Sequence, residues 1–198
     1  HHADGVEAAF AGDPSVLMIS IHEENRWPFS GLITDQGCGN CFNLPVPKGY
    51  NDTEARCTLH RLILPRVTAF RPDLIVLQAG ADAVTEDPLS RLCLSNNAHR
   101  EVLRALRPLA PRLLLLGGGG YNPWTVARAW TLLWADLSGQ SVPDPLPADA
   151  QAILRAVSWQ GGGRSAPDEA VLSRLQDAPR EGPLRPEIIA RLDQLATR

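Results

Sequence analysis

The sequence predicts an α/β fold built on an open parallel sheet flanked by helices, and three apolar runs carry that expectation. Val16-Leu17-Met18-Ile19-Ser20-Ile21, Leu74-Ile75-Val76-Leu77-Gln78 and Leu113-Leu114-Leu115-Leu116 are short, continuous and bounded by Pro, Asp or Gly. Strands covered by helices on both faces read this way. Segments of helical periodicity fill the spaces between them, and strand–helix alternation is the mark of a parallel sheet. A chain of 198 residues, 44% of them hydrophobic, is long enough for one such core.

The elements follow in chain order. After the first strand, residues 22–51 are rich in Gly and Pro and hold Trp27, Pro28, Phe29 and the run Gly37-Cys38-Gly39-Asn40-Cys41. A loop that long in a compact domain carries function or forms a binding wall. Residues 52–70 read as a helix through Ala55, Leu59, Leu62, Ile63, Val67 and Phe70, with a kink or a lost hydrogen bond expected at Pro65. Residues 95–109 read as a helix capped by Ser95, and residues 123–137 as another through Val126, Ala129, Trp130, Leu133 and Trp134. Past Gly139 come a Pro-rich connector and short helices near 148–157, 168–176 and 185–197. The glycines 161–163 and the stretch 179–186 interrupt them. This tail reads as a peripheral helical cover.

Charge and composition remove several function classes. Nineteen basic residues (Lys48 the one lysine) stand against 22 acidic ones, a net charge of -3. No basic stripe is present, so nucleic acid is not an expected partner. The apolar runs fall far short of the ~20 residues of a membrane span, and no basic region followed by an apolar one opens the chain as a secretion signal would. Four cysteines in this length do not make a disulfide scaffold, and the default is a reducing compartment. A soluble, cytoplasmic protein without a membrane partner is expected.

Ligands of open parallel sheets bind beyond the carboxyl ends of the strands. His22 follows the first strand, Ala79-Gly80-Ala81-Asp82 the second, and Gly117-Gly118-Gly119-Gly120-Tyr121 the third. An imidazole, a carboxylate and a phenol would gather at one sheet edge beside loop 22–51. The set suits a metal-assisted hydrolase: carboxylate and imidazole bind zinc, and a phenol hydrogen-bonds a developing oxyanion.

Five motifs occur in order: His1-His2-Ala3-Asp4-Gly5-Val6-Glu7, Ser20-Ile21-His22, Gln78-Ala79-Gly80-Ala81-Asp82, Asp87-Pro88-Leu89 and Gly117-Gly118-Gly119-Gly120-Tyr121-Asn122. The last runs into Trp124 and Arg128-Ala129-Trp130. Together they resemble the histone deacetylase superfamily, which includes bacterial acetoin-utilisation deacetylases and acetylpolyamine amidohydrolases. The resemblance implies an arginase/deacetylase-like fold and a zinc ion that activates water for amide hydrolysis. It implies that His1 and Asp82 are zinc ligands and that Tyr121 polarises the substrate carbonyl. Trp27, Leu89 and Gly119 fall where the family lines its acyl-lysine tunnel. A monovalent cation such as potassium would take the carbonyls of His1 and Ile21 and the hydroxyl of Ser20. The substrate class implied is acetyl-lysine, an acetylated polyamine or another small acetylated amine.

The family's first carboxylate ligand stands two residues before the position of His1, and its paired histidines lie further upstream. Residues 1–138 are therefore expected to be the C-terminal portion of a deacetylase-like catalytic domain whose N-terminal part is missing, with 139–198 as connector and helices. By itself this polypeptide is expected to be inactive. Ala3 replaces the family's usual glycine. The competing reading is a non-catalytic deacetylase-like unit for binding or assembly.

Other residues have plainer readings. His22 is expected to be a hydrogen-bonded structural residue, and His60 and His99 to face solvent on helices. Asp4 reads as a cap or loop anchor, and Asp73 and Asp87 as strand-entry and turn residues. Gly117 to Gly120 lack the spacing of a phosphate loop, and close backbone approach to a substrate explains them better. Cys38 and Cys41 have C-x-x-C spacing with no second pair, and Trp124, Trp130 and Trp134 read as core.

Overall fold

The computed structural model describes residues 1–160 and 167–198; the glycines 161–163 lie outside the described residues. After a short helix α1 (Asp4–Phe10), strands β1 (Met18–Glu23) and β2 (Cys41–Val46) pair in parallel, Met18 opposite Cys41 and Glu23 opposite Val46. β3 (Leu74–Gln78) and β4 (Arg112–Leu116) form a second parallel pair, Leu74 opposite Arg112. Leu17 and Ile19 bridge the two, packing on the cluster around Phe42 and Leu44 and on the one around Val67 and Ile75. The α/β class with parallel strands and flanking helices is the one expected.

β2 lies inside the segment read as loop. Phe42, Leu44 and Val46 alternate as a strand should, but Asn43 and Pro45 are residue types depleted in strands and obscured it. Its residues Leu44 and Val46 are sealed from solvent. The strands were also expected to be buried on both faces. In β3 and β4 they are not: Leu74, Val76, Leu114 and Leu116 are each about half exposed among the described residues.

The segment from 52 to 70 folds as α2 (Asp52–Thr58), a π-helical turn (Leu59–Ile63) and α3 (Leu64–Phe70). Pro65 has no N–H, and the chain accommodates it just upstream, where the Leu64 N–H reaches back to the Leu59 carbonyl. Asn51 and Glu54 close α2 with a reciprocal capping box. α4 (Asn96–Leu106) is capped by Ser95 as expected, and α5 (Pro123–Ser138) by Asn122, whose side chain accepts from the amides of Trp124 and Thr125.

α6 (Ala148–Ala156) and α7 (Glu169–Ser173) carry no buried residue. α8 (Pro186–Ala196) differs from the peripheral cover expected of the tail. Its Ile188, Leu192 and Leu195 are fully buried in the main core beside Leu44, Tyr50 and Leu62. Their i, i+4, i+7 spacing is that of a core-facing helix. Trp134 departs in the other direction, with 65% of its surface exposed. Trp130 is partly exposed, its indole N–H donating to the Ala79 carbonyl, while Trp124 is buried. No described helix is long and apolar enough to cross a membrane.

Candidate metal centre

The loops after β3 and β4 meet backbone to backbone. A Cβ on Gly118 would lie 2.8 Å from the Gly80 Cα, so neither loop tolerates a side chain there. The Gly119 carbonyl accepts from the amides of Ala81 (2.6 Å) and Asp82 (3.3 Å), which pins the turn that presents the Asp82 carboxylate. A Cβ on Gly119 would collide with that carboxylate. In the structure this glycine makes room for the Asp82 carboxylate.

Asp82 is buried, and its Oδ2 stands 2.5 Å from Nδ1 of His1. The Tyr121 ring lies edge-on to the His1 ring at 6.1 Å between centroids and keeps 45% of its surface exposed. The structure thus brings together the residues read as metal ligands and as carbonyl-polarising phenol. No group of three or more His, Cys, Asp or Glu that could hold a metal occurs among the described residues. Imidazole and carboxylate are both donors that zinc takes, and here they converge on each other from separate loops. The pair fits two positions of a zinc site.

The remaining site residues connect through anchors. Leu89 is about half exposed, and its amide donates to Asp87 Oδ1 at 2.9 Å; Tyr121 donates its amide to Asp87 Oδ2 at 2.7 Å. Trp27 is 70% exposed on the loop after β1, edge-to-face with Phe29 at 6.4 Å. That loop is tied down by two histidines. His2 Nδ1 pairs with the Ser30 hydroxyl at 2.8 Å, and His22 Nε2 donates to the Gly31 carbonyl at 3.0 Å. Gly31 has a φ of +77° and no room for a Cβ beside the His2 ring.

Because Nε2 of His22 donates, its Nδ1 is the acceptor, and the Ser20 hydroxyl donates to it at 3.0 Å. Burial, then the nearby His2, pulls the His22 pKa down to about 4, so the ring is neutral at pH 7. It is the hydrogen-bonded structural residue expected. Of the residues expected to bind a monovalent cation, Ser20 and Ile21 adjoin on β1.

His60 is exposed as expected. His99 is not. Its Nε2 donates to the Gly80 carbonyl at 2.8 Å, and its Nδ1 is sealed from solvent without a hydrogen-bond partner among the described residues. Burial lowers its pKa. Asp4 is an exposed residue of α1 whose carboxylate accepts from the Gly5 amide. Three residues near the site were not read as part of it: His99 behind the Asp82 loop, Asp87 between Leu89 and Tyr121, and Glu23. The last is buried at the end of β1 and holds Arg91 through both its amide (2.8 Å) and its guanidinium (2.6 Å). A carboxylate on the Asp87-Pro88-Leu89 motif was the one available signal.

Residues 1–137 match the histone deacetylase domain. The chain is 34% identical over 173 residues to the acetoin utilization protein AcuC of Bacillus subtilis, covering 81% of this chain and 43% of that protein. It is 38% identical over 153 residues to histone deacetylase 19 of Arabidopsis thaliana, covering 74% of this chain and 30% of that protein. The chain therefore spans less than half the length of these curated relatives. Among solved structures, an HDAC homolog from Aquifex aeolicus superposes with a TM-score of 0.91 at 35% identity, over 99% of this chain and 55% of that one. An HDAC homolog complexed with SAHA gives 0.92 at 34% identity, with the same coverages. With more than two thirds of this chain's residues matching the domain, the chain belongs to the histone deacetylase family.

Proposed function

We propose that this chain carries the metal- and carbonyl-binding part of a zinc-dependent deacetylase that hydrolyses the amide of an acetylated amine. The observation that carries the reading is the convergence of His1 and Asp82 beside Tyr121. His1 and Asp82 would hold zinc, which when bound supplies a Lewis acid for an acyl carbonyl and lowers the pKa of water. The half-exposed phenol of Tyr121 donates a hydrogen bond to the carbonyl oxygen and holds it as negative charge grows there. Gly119 leaves the Asp82 carboxylate room that any side chain would take. Trp27 and Leu89, both exposed and apolar, wall the acyl chain and keep water from it.

Acetyl-lysine, an acetylated polyamine or a similar small acetylated amine fits this site. Support comes from a relative named as a histone deacetylase and another named for acetoin utilisation. The Ser20 hydroxyl gives its proton to His22 and so keeps lone pairs for a potassium ion shared with the carbonyls of Ile21 and His1. Four free cysteines support a reducing, cytoplasmic setting.

Among the described residues, His1 and Asp82 offer zinc two ligands where catalytic sites use three. His2 and His22 are both engaged in hydrogen bonds of the loop anchor, so neither is free to shuttle a proton. The polypeptide by itself is inactive in this reading. The test is turnover of a fluorogenic acetyl-lysine substrate together with zinc content in the intact protein. Zinc-dependent turnover supports the reading. A zinc-loaded intact protein that hydrolyses no acetylated amine favours a binding or assembly unit instead.

A further inference from the structure

We propose that Asp87 is a positioning residue that holds the phenol of Tyr121 and the wall residue Leu89 in register through their backbone amides. The inference rests on the functional reading above and extends it to a residue outside the metal pair. The Asp87 carboxylate has only 1% of its surface exposed. It spends one oxygen on the Tyr121 amide (2.7 Å) and the other on the Leu89 amide (2.9 Å). An ionised carboxylate accepts without donating, so it satisfies two converging N–H groups at once, and charged acceptors make the stronger bonds.

A second contact joins the same two segments. Asn122, which caps α5, donates from Nδ2 to the Glu86 carbonyl at 3.2 Å. Residues 121–122 thus donate twice to residues 86–87, once from the backbone and once from a side chain. Glu86 takes a φ of +78°, a left-handed conformation that a glutamate adopts only when its surroundings require it. The anchor matters because Tyr121 and Leu89 are each about half exposed. Side-chain packing does little to fix either one. On the other side of Tyr121 the chain is Gly117 to Gly120, with no side chains to anchor it. The backbone anchor therefore decides where the phenol stands relative to His1 and Asp82.

The test uses the intact, zinc-loaded protein with an acetyl-lysine peptide. Asp87→Asn keeps the shape but turns an NH2 toward one of the two amides. A misplacement of about 1 Å costs about 10²-fold in rate, so kcat is expected to fall by about that factor, with a smaller change in KM and unchanged zinc content. Because Asp87 acts through Tyr121, the double variant Asp87→Asn/Tyr121→Phe is expected to be no slower than Tyr121→Phe alone. A full kcat in Asp87→Asn overturns the proposal, as do losses that multiply in the double variant. If Asp87→Asn folds poorly, Asp87→Ser enters the same cycle with the same two outcomes. Should Tyr121→Phe itself leave kcat unchanged, the functional reading fails first, and that outcome is distinct from additivity.

Discussion

His1 and Asp82 lie eighty-one positions apart in the chain, yet Nδ1 of one and Oδ2 of the other stand 2.5 Å from each other. The Asp82 side chain is buried, and two glycine-bearing loops fold tightly around it. A buried carboxylate needs a positive or hydrogen-bonding partner, and in a zinc site the metal fills that role. Asp82→Ala is therefore expected to lose zinc and turnover together. Metal analysis of the purified variant beside its rate checks this; full zinc occupancy in Asp82→Ala would remove the carboxylate from the ligand set.

Tyr121→Phe separates the phenol from the metal. Its ring meets His1 edge-on at 6.1 Å, and its backbone is held by Asp87, so the substitution leaves both anchors in place. Removing one donor to a developing oxyanion costs about 10²–10³ in kcat. Zinc content is expected to stay at the wild-type level while kcat drops by that factor. Equal losses of metal and rate would mean that the phenol supports the metal rather than the carbonyl.

β1, β3 and β4 were legible because each is an apolar run closed by Pro, Asp or Gly. β2 was not, since Asn43 and Pro45 interrupt a pattern that the parallel pairing with β1 and the packing of α8 nevertheless satisfy. Helix α8 looked like any amphipathic tail helix, and nothing local says that Ile188 and Leu192 reach the core around Leu44. Trp134 keeps helical spacing with Trp130 yet faces outward. Spacing identifies a face, not what covers it. In the site, the strand-end rule pointed to Asp82 and Tyr121, and motif resemblance added His1. Asp87 and His99 act through backbone groups of distant loops, Tyr121 N–H and Gly80 C=O. Such partners exist only once the loops have met.

Gly119→Ala tests the packing of the two loops directly. Its added methyl would press on the Asp82 carboxylate, which cannot retreat because the Asp82 and Ala81 amides are bound to the Gly119 carbonyl itself. Overpacking of this kind costs about 1–3 kcal/mol, and the strain falls on the proposed metal ligand. Weaker zinc retention during dialysis against a chelator, with a lower melting temperature, is the expected outcome. Wild-type zinc retention in Gly119→Ala would show that the Asp82 loop yields freely.

The last prediction concerns pH and the joint between α4 and α5, away from the site. Asp136 on α5 receives Arg100 in a two-pronged arrangement, Nε to Oδ2 at 2.6 Å and Nη2 to Oδ1 at 2.7 Å. Arg104 adds a bond to Oδ1 at 2.9 Å. Burial works to raise the Asp136 pKa, but the two guanidinium groups prevail and hold it below the ordinary 3.8. The folded state therefore binds its proton later than the unfolded chain does as acid is added. The stabilisation is complete above pH 3.8 and is lost as the pH falls through the lower, folded value. Hydrogen bonds to charged partners contribute about 1.5–3 kcal/mol, and the carboxylate is only 8% exposed. Asp136→Asn is expected to destabilise the protein by about that amount at pH 7. The gap to wild type should close in acid, once the wild-type carboxylate is itself protonated. Urea unfolding of both proteins at neutral and acid pH measures it. A gap that stays constant across that range would assign the cost of Asp136→Asn to packing rather than to the ion pairs.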